Sequence, residues 1–456
     1  MPGAVRLLYR FGADVRSIDR KANRITLEVD GRKPVAMAPP QPAYADAIMA
    51  LHGRGLTLAA FIGMVRAAGD PAEADKAAAY YVGRFARARL LAWTVADDRD
   101  VLAEVTSLSA DYRPRTAAPS PDDRLALCRL ACLRRDDGRP LIDSAIVRAR
   151  ATLSTAGVQA LADSIARPRA GSEDAFAGAM WQLGFFDLSE SRESNARRSW
   201  EFHDLMMHEG SRLNRSLPHG ATYRFKDRFD APPAIAPARN GDRIDLPPID
   251  TARLGQASRP LDVLQAQRRT IKRYAAQAIT LTGIGEFLWR VGRTTGRADE
   301  ADLISRPYPS AGSLNELELY VAVRRCEGLS PAVYHYDSHA HGLTRLPGSA
   351  AIAARIVERS ARTMALPADA QPPDLTIVIT SRLPRLAWKY QGVAYRLSLL
   401  NVGVVFELMY LVATDMGLAP CANGSGDSRL LHEALGGDPF EEVAIGEFCV
   451  AIPATD

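Results

Sequence analysis

Cysteine is scarce here, and what there is forms no pattern. Five residues in 456, at positions 128, 132, 326, 421 and 449, include no CxxC pair and no Cys/His spacing that suits zinc. A disulfide scaffold and a zinc module are thereby excluded, and free, mostly buried thiols in a reducing cytoplasm are expected. Histidine is equally thin, at eight residues. His203 and His208 stand five apart, not the four of a helical metal pair. His335 falls in strand alternation, and His339 and His341 in a turn without a carboxylate or thiol in range, so all five read as structural. Residues 1–15 hold no apolar core of signal-peptide length, and export is not expected. The greasiest run, 397–418, is broken by Asn401, Glu407 and Asp415, and a carboxylate at mid-bilayer costs about 2.5–3.5 kcal/mol. It suits a helix in a protein core or a dimer interface, not a membrane. The net charge of +4 comes from scattered arginines, without a compact basic block and interleaved aromatics, so nucleic acid is not an expected partner.

What is present is ordinary globular composition, 47% hydrophobic and 24% charged, in a chain long enough for about three domains. Residues 1–118 open with a strand near Leu7–Phe11 and a hairpin turning at Asp30-Gly31-Arg32. Helical periodicity follows at 44–51, 57–68 and 72–91, then a strand at LLAWTV. A hairpin plus short helices is the make-up of a winged helix. Residues 119–215 repeat the plan, with a second turn at Asp137-Gly138-Arg139, helices at 158–166 and 173–183, and a polar-edged helix in SWEFHDLMMHEGSRLN, 199–214. Two such modules can hold a peptide as an added strand. Residues 216–260, rich in Pro, Arg and Asp, read as a linker or surface arm. Residues 261–456 mix strands and helices, so the expected class is α+β.

Three stretches carry candidate chemistry. In SRPYPSAGSLNELELYV, from Ser305 to Val321, Pro309, Ser310, Ala311, Gly312 and Ser313 form a small-residue turn against which a flat ligand can lie. Leu317, Leu319, Val321 and Val323 then alternate as a half-buried strand. Arg268, Arg269, Thr270 and Lys272 place three cations and a hydroxyl within five residues, enough to neutralise a phosphate, with 268 and 272 sharing a face if the segment is helical. Lys389 and Tyr390 sit between a buried strand and the long apolar helix, where a lysine shifted towards neutrality by burial takes a proton and a tyrosine relays one. Asn423 to Gly426 is a Gly-rich loop whose amides suit a ring edge or phosphate.

In order and spacing, RRTIKRY, RPYPSAGSLNELELYV, KYQGVAYRLSLL and the Gly-rich loop resemble the nitroreductase-type flavin fold, and within it the SagB-type azoline dehydrogenases of thiazole/oxazole-modified peptide biosynthesis. SWEFHDLMMHEGSRLN resembles a further segment of that family, and the tandem N-terminal units are similar to its peptide-gripping winged helices. The resemblance covers about residues 120–453. It implies FMN, its phosphate and ribityl chain on Arg268, Arg269, Thr270 and Lys272, its ring along Pro309 to Ser313, and Gly424 and Ser425 covering it. It further implies Lys389 and Tyr390 as the proton-removing pair, a precursor peptide as substrate, a cyclodehydratase partner and a homodimer. Three departures stand out: Asn315 to Leu317 replaces the usual YPL, Asn401 stands where Glu is common, and Val404 where His is common.

Overall fold

Asp137 (φ 46°) and Gly138 (φ 78°) both take left-handed backbone, as a two-residue hairpin turn demands and an Asp-Gly pair supplies at little steric cost. The turn joins Ala131–Asp136 to Arg139–Ser144, as the sequence predicts. The computed structural model describes residues 4–22, 24–39, 41–67, 71–189, 193–213, 218–366 and 370–455. Its contacts divide it into two units, Met1–Leu217 and Pro218–Asp456.

In the first unit one antiparallel sheet runs in the order Arg6–Phe11, Leu91–Ala96, Val101–Ser107, Ala149–Leu153, Arg139–Ser144, Ala131–Asp136. Three strands come from each stretch expected to be a separate module, and they meet where Ala149 pairs with Ser107. One apolar cluster extends from Tyr9 and Trp93 to Leu161 and Phe186. Position 118/119 is therefore not a boundary between cores. Tyr112 ties the halves, its ring edge-on to Trp93 at 5.1 Å and its hydroxyl donating to the Leu183 carbonyl at 2.9 Å. The first hairpin carries an unforeseen strand, Val15–Lys21, whose mostly polar residues hid it. The helices form at Pro42–Met49, Leu58–Arg66, Pro71–Arg87, Thr155–Ala166 and Ala175–Gln182. The third stops short of 91 because Arg89 (φ 56°) turns the chain into strand. Segment 199–214 is helical over Phe202–Gly210. Ala68, Asn214 and the expected 215/216 boundary lie outside the described residues.

The expected linker, from Pro218 on, belongs to the second unit and supplies its edge strand, Asp242–Asp245 (β1). There follow Leu261–Gln267 (α1), Leu281–Gly292 (α2), Leu317–Val323 (β2), Ala332–Asp337 (β3), Gly342–Arg345 (β4), Ala350–Thr363 (α3) and Leu375–Ser381 (β5). Leu383–Lys389 (α4), Ala394–Asp415 (α5), Ala419–Asn423 (β6), Ser428–Leu435 (α6) and Val443–Ala451 (β7) complete it. The sheet is antiparallel in the order β1-β4-β3-β2-β5-β7-β6. Thr280 caps α2 by accepting from the Gly283 amide at 3.0 Å. Helix α5 lays Val402, Val405, Met409 and Ala413 on the core. Its other side leaves Leu400 56% and Val404 41% exposed. Among the described residues it is one helix long and apolar enough to cross a membrane, and Asp415 near its end pairs with Arg290 at 2.5 Å. All five cysteines are free.

Strand β2 is buried on both faces, not half-buried. Its alternation reflects a second, charged interior. Glu318 accepts from His335 Nε2 at 3.1 Å and faces Arg306 at 3.7 Å and Arg382 at 3.5 Å. Burial opposes its charge, but the His335 hydrogen bond and the charges of Arg306, His335 and Arg382 prevail, pulling the carboxyl from 4.5 to about 2. A depressed carboxyl stabilises the fold above the unfolded value and loses that contribution as pH falls through the folded one. The shift corresponds to a contribution on the order of 3 kcal/mol. Glu318→Gln is thus expected to lower unfolding free energy by about that much at pH 7, with the gap to wild type closing between pH 4.5 and 2 in urea titrations.

Candidate functional site

The small-residue turn is held by side chains that sequence reasoning missed. Gly312 (φ 59°), Ser313 (φ 58°) and Asn315 (φ 46°) are all left-handed, and for the two that carry a β-carbon this costs about 1–2 kcal/mol each. What holds them is a polar network. The Ser313 amide donates to the Ser310 carbonyl at 3.1 Å, the Asn315 amide to Ser310 Oγ at 3.0 Å, and Asn315 Nδ2 to the Ile304 carbonyl at 2.6 Å. Beneath lies Glu316, fully buried, accepting from Ser398 Oγ at 3.0 Å, Asn401 Nδ2 at 3.0 and 3.1 Å, and Ser310 Oγ at 3.3 Å. Two of the three departures from the resembled pattern, Asn315–Leu317 and Asn401, therefore meet in one network. Pro309, Gly312 and Ser313 face outwards.

Lys389 and Tyr390 reach this turn. Lys389 ends α4, and Tyr390–Gln391 pairs with Gly220–Ala221, which fixes the backbone of both. Arg385 Nε, in the same helix, donates to the Leu314 carbonyl at 2.7 Å. A β-carbon on Gly312 would lie 2.5 Å from Tyr390 Oη and 2.9 Å from Lys389 Nζ, so both side-chain tips converge over that glycine. Glycine supplies both the left-handed backbone and the room. Lys389 is half-buried rather than deeply enclosed.

The basic segment is not helical. Helix α1 ends at Arg268, the Ile271 amide then donates to the Pro420 carbonyl at 3.0 Å, and Tyr274 bridges to Pro453, so the chain runs extended beside β6. No helical turn brings Arg268 and Lys272 together: Arg268 lines the adjoining cleft with Arg269, and Lys272 does not. Thr270 Oγ1 lies 2.9 Å from Tyr410 Oη, which also accepts the Ala422 amide at 2.9 Å, and the Arg268 guanidinium is 5.2 Å from the Tyr410 ring centre. Lys272 Nζ donates to the Met364 carbonyl at 2.5 Å and does not line the adjoining cleft. That cleft, of about 610 Å³, is lined by Arg259, Arg268, Arg269, Gln267 and Thr414 among others, and by no carboxylate. Arg259 is committed to Asp415. Among the described residues Arg268 and Arg269 pair with no acid. The fit to a phosphate is good: two unneutralised guanidiniums line a cleft without opposing charge, and the Thr270 hydroxyl, next in the chain, stands on Tyr410 outside that lining.

Gly424 and Ser425 lie exposed just past β6. The Ser425 amide donates to Asn423 Oδ1 at 3.0 Å, and Asn423 Nδ2 donates to Glu447 and Thr363, each at 2.8 Å. Burial pushes the Glu447 carboxyl up.

The expected site residues thus form two groups, 268–270 with 422–425 around Tyr410, and 309–316 with 389–390 around Asn401. Asn401 and Tyr410 are nine positions apart on α5, about half a turn out of phase and about 13.5 Å along the axis. They leave the helix on opposite flanks, with the exposed Leu400 and Val404 ridge between them. Among the described residues no group of His, Cys, Asp and Glu is arranged to hold a metal.

Residues 266–451 match the Nitroreductase family, a span that takes in both groups. This stretch is a Nitroreductase family domain. The chain is also similar to the Methanocaldococcus jannaschii protein named Putative nitroreductase MJ1384, 28% identical over 196 residues, 42% of this chain and 88% of that protein. Among solved structures, the E. coli microcin synthetase McbBCD complex with truncated pro-MccB17 bound aligns at 17% identity and TM-score 0.35, over 52% of this chain and 88% of that one. A nitroreductase family protein of Clostridium novyi NT aligns at 14% identity and TM-score 0.28, over 43% and 86%.

Proposed function

We propose that this chain is an FMN-dependent azoline dehydrogenase, turning thiazoline or oxazoline rings of a ribosomally made precursor peptide into thiazoles or oxazoles. The convergence of Lys389 Nζ and Tyr390 Oη over Gly312 carries the reading, because it sets a proton acceptor and a proton relay above the turn assigned to the flavin ring. Arg268, Arg269 and Thr270 would hold the FMN phosphate, and Pro309 to Ser313 would line the ring. Gly424 and Ser425 would cover the cofactor. When bound, FMN supplies the hydride acceptor for the ring carbon next to the one that loses its proton. Lys389 takes that proton, and Tyr390 Oη orients the ammonium it leaves. Lys272, held by Met364, supports the extended segment instead of touching phosphate.

The two groups lie on opposite flanks of α5, which favours a homodimer in which the apolar ridge at Leu400 and Val404 packs on its partner and each flavin is shared between one chain's basic group and the other's turn. The first unit, residues 4–213 as described, would hold the precursor peptide, and a cyclodehydratase would supply its rings. The deciding experiment is incubation of the purified, FMN-loaded chain with a thiazoline-bearing peptide. Loss of one hydrogen pair per ring by mass spectrometry is expected. Turnover of quinones or nitroarenes without ring oxidation would make it a small-molecule reductase, and a colourless chain that refuses FMN would leave only a peptide-holding scaffold.

A further inference from the structure

Among the described residues, no cation forms an ion pair with the buried carboxylate of Glu316. Its donors are all neutral: the hydroxyls of Ser310 and Ser398, and the carboxamide of Asn401, whose Nδ2 reaches both carboxylate oxygens at 3.0 and 3.1 Å. A carboxylate can only accept, so it dictates which way the Asn401 amide faces. With Nδ2 committed to Glu316, Asn401 Oδ1 is left to accept the Ala311 amide, at 3.3 Å, in the turn under Lys389 and Tyr390. Ser310 Oγ belongs to the same relay, since it donates to Glu316 and accepts the Asn315 amide at 3.0 Å. A fully buried carboxylate without an ion-pair partner is costly, and an apolar residue would fill the space more cheaply. Its use here is orientation.

We propose that Glu316 is a positioning residue: acting through Asn401 and Ser310, it fixes the turn at residues 310–315, with its left-handed Gly312, Ser313 and Asn315, that presents Gly312 to the flavin ring. The link to flavin rests on the functional reading above, whereas the relay itself does not. Glu316→Gln is nearly the same shape but turns one of the two oxygens that face Asn401 Nδ2 into an amide donor, so Asn401 is either opposed by a donor in place or flips and sets its own Nδ2 against the Ala311 N–H, and both weaken the relay. The exchanged pair, Glu316→Gln with Asn401→Asp, restores a donor opposite each acceptor with the roles of the two side chains swapped. The carboxylate now at 401 accepts from the Ala311 amide, from the carboxamide nitrogen now at 316 and from Ser310 Oγ, which lies 3.3 Å from the position of Asn401 Nδ2, while the carboxamide oxygen at 316 accepts from Ser398 Oγ.

The test is hydrogen exchange of the 309–316 peptide in the full chain without added flavin, followed by FMN titration. Exchange at Ala311 should quicken at least tenfold in Glu316→Gln and return to within about threefold of wild type in the exchanged pair, with FMN affinity following the same order. Asn401→Ala keeps the carboxylate and both serines and should show the same quickening, so the result does not depend on one variant folding. Unchanged exchange in Glu316→Gln and Asn401→Ala, or an exchanged pair no slower than Glu316→Gln, overturns the relay. Restored exchange with FMN affinity indifferent to all three overturns the role at the flavin. A wild-type chain that binds no FMN refutes the functional reading, while the exchange data still decide the relay.

Discussion

Lys389→Ala is expected to lower azole formation by about 10²–10⁴-fold, the range that a positioned general base contributes, while leaving bound flavin and its absorbance unchanged. The separation follows from the geometry. Lys389 Nζ stands over Gly312, whereas the residues proposed to hold the phosphate, Arg268 to Thr270, are gathered around Tyr410 on the opposite flank of α5. Lys389→Arg should fail almost as badly, since a guanidinium keeps its proton. Tyr390→Phe removes only the hydroxyl and should fall between. Single-turnover mixing of loaded enzyme with a thiazoline peptide reads all three, and undiminished ring oxidation in Lys389→Ala would assign the proton transfer elsewhere.

The second large effect is expected at the other group. Arg268→Ala combined with Arg269→Ala should weaken FMN binding by about 10²–10⁴-fold, because each charge-assisted contact contributes about 1.5–3 kcal/mol. Both guanidiniums line a carboxylate-free cleft, so nothing nearby can replace their charge. Fluorescence titration measures the loss. The wild-type constant should also weaken with added salt more steeply than that of the double variant, since two phosphate contacts are removed. Lys272→Ala should cost far less, because its ammonium is spent on the Met364 carbonyl.

Much of this was legible in the residues. Asp-Gly turns and the long apolar helix formed where local chemistry places them, since each depends on a few neighbours. Polar interior partners were harder. Glu316 and Glu318 alternate with leucines and read as a solvent face, yet their partners come from residues as distant as His335, Arg382, Ser398 and Asn401. One signal was available: Ser398 and Asn401 lie three apart on the face of this helix that carries Val402, Val405 and Met409, and such a polar pair implies a buried acceptor. The basic segment is undecided by its own residues, because Arg, Thr, Ile and Lys suit helix and extended chain alike. Pairing with Pro420 and Pro453 decides it.

The shared sheet of the first unit bears on how that half can be divided. Cutting the chain near residue 118 would strip Ala149–Leu153 of its partner Val101–Ser107 and bare a row of unsatisfied amides and carbonyls flanked by Ala149, Ala151 and Leu153. Such a fragment invites strand addition from other molecules and clumping, so dissection of peptide capture is better served by point changes in the intact protein than by deletion.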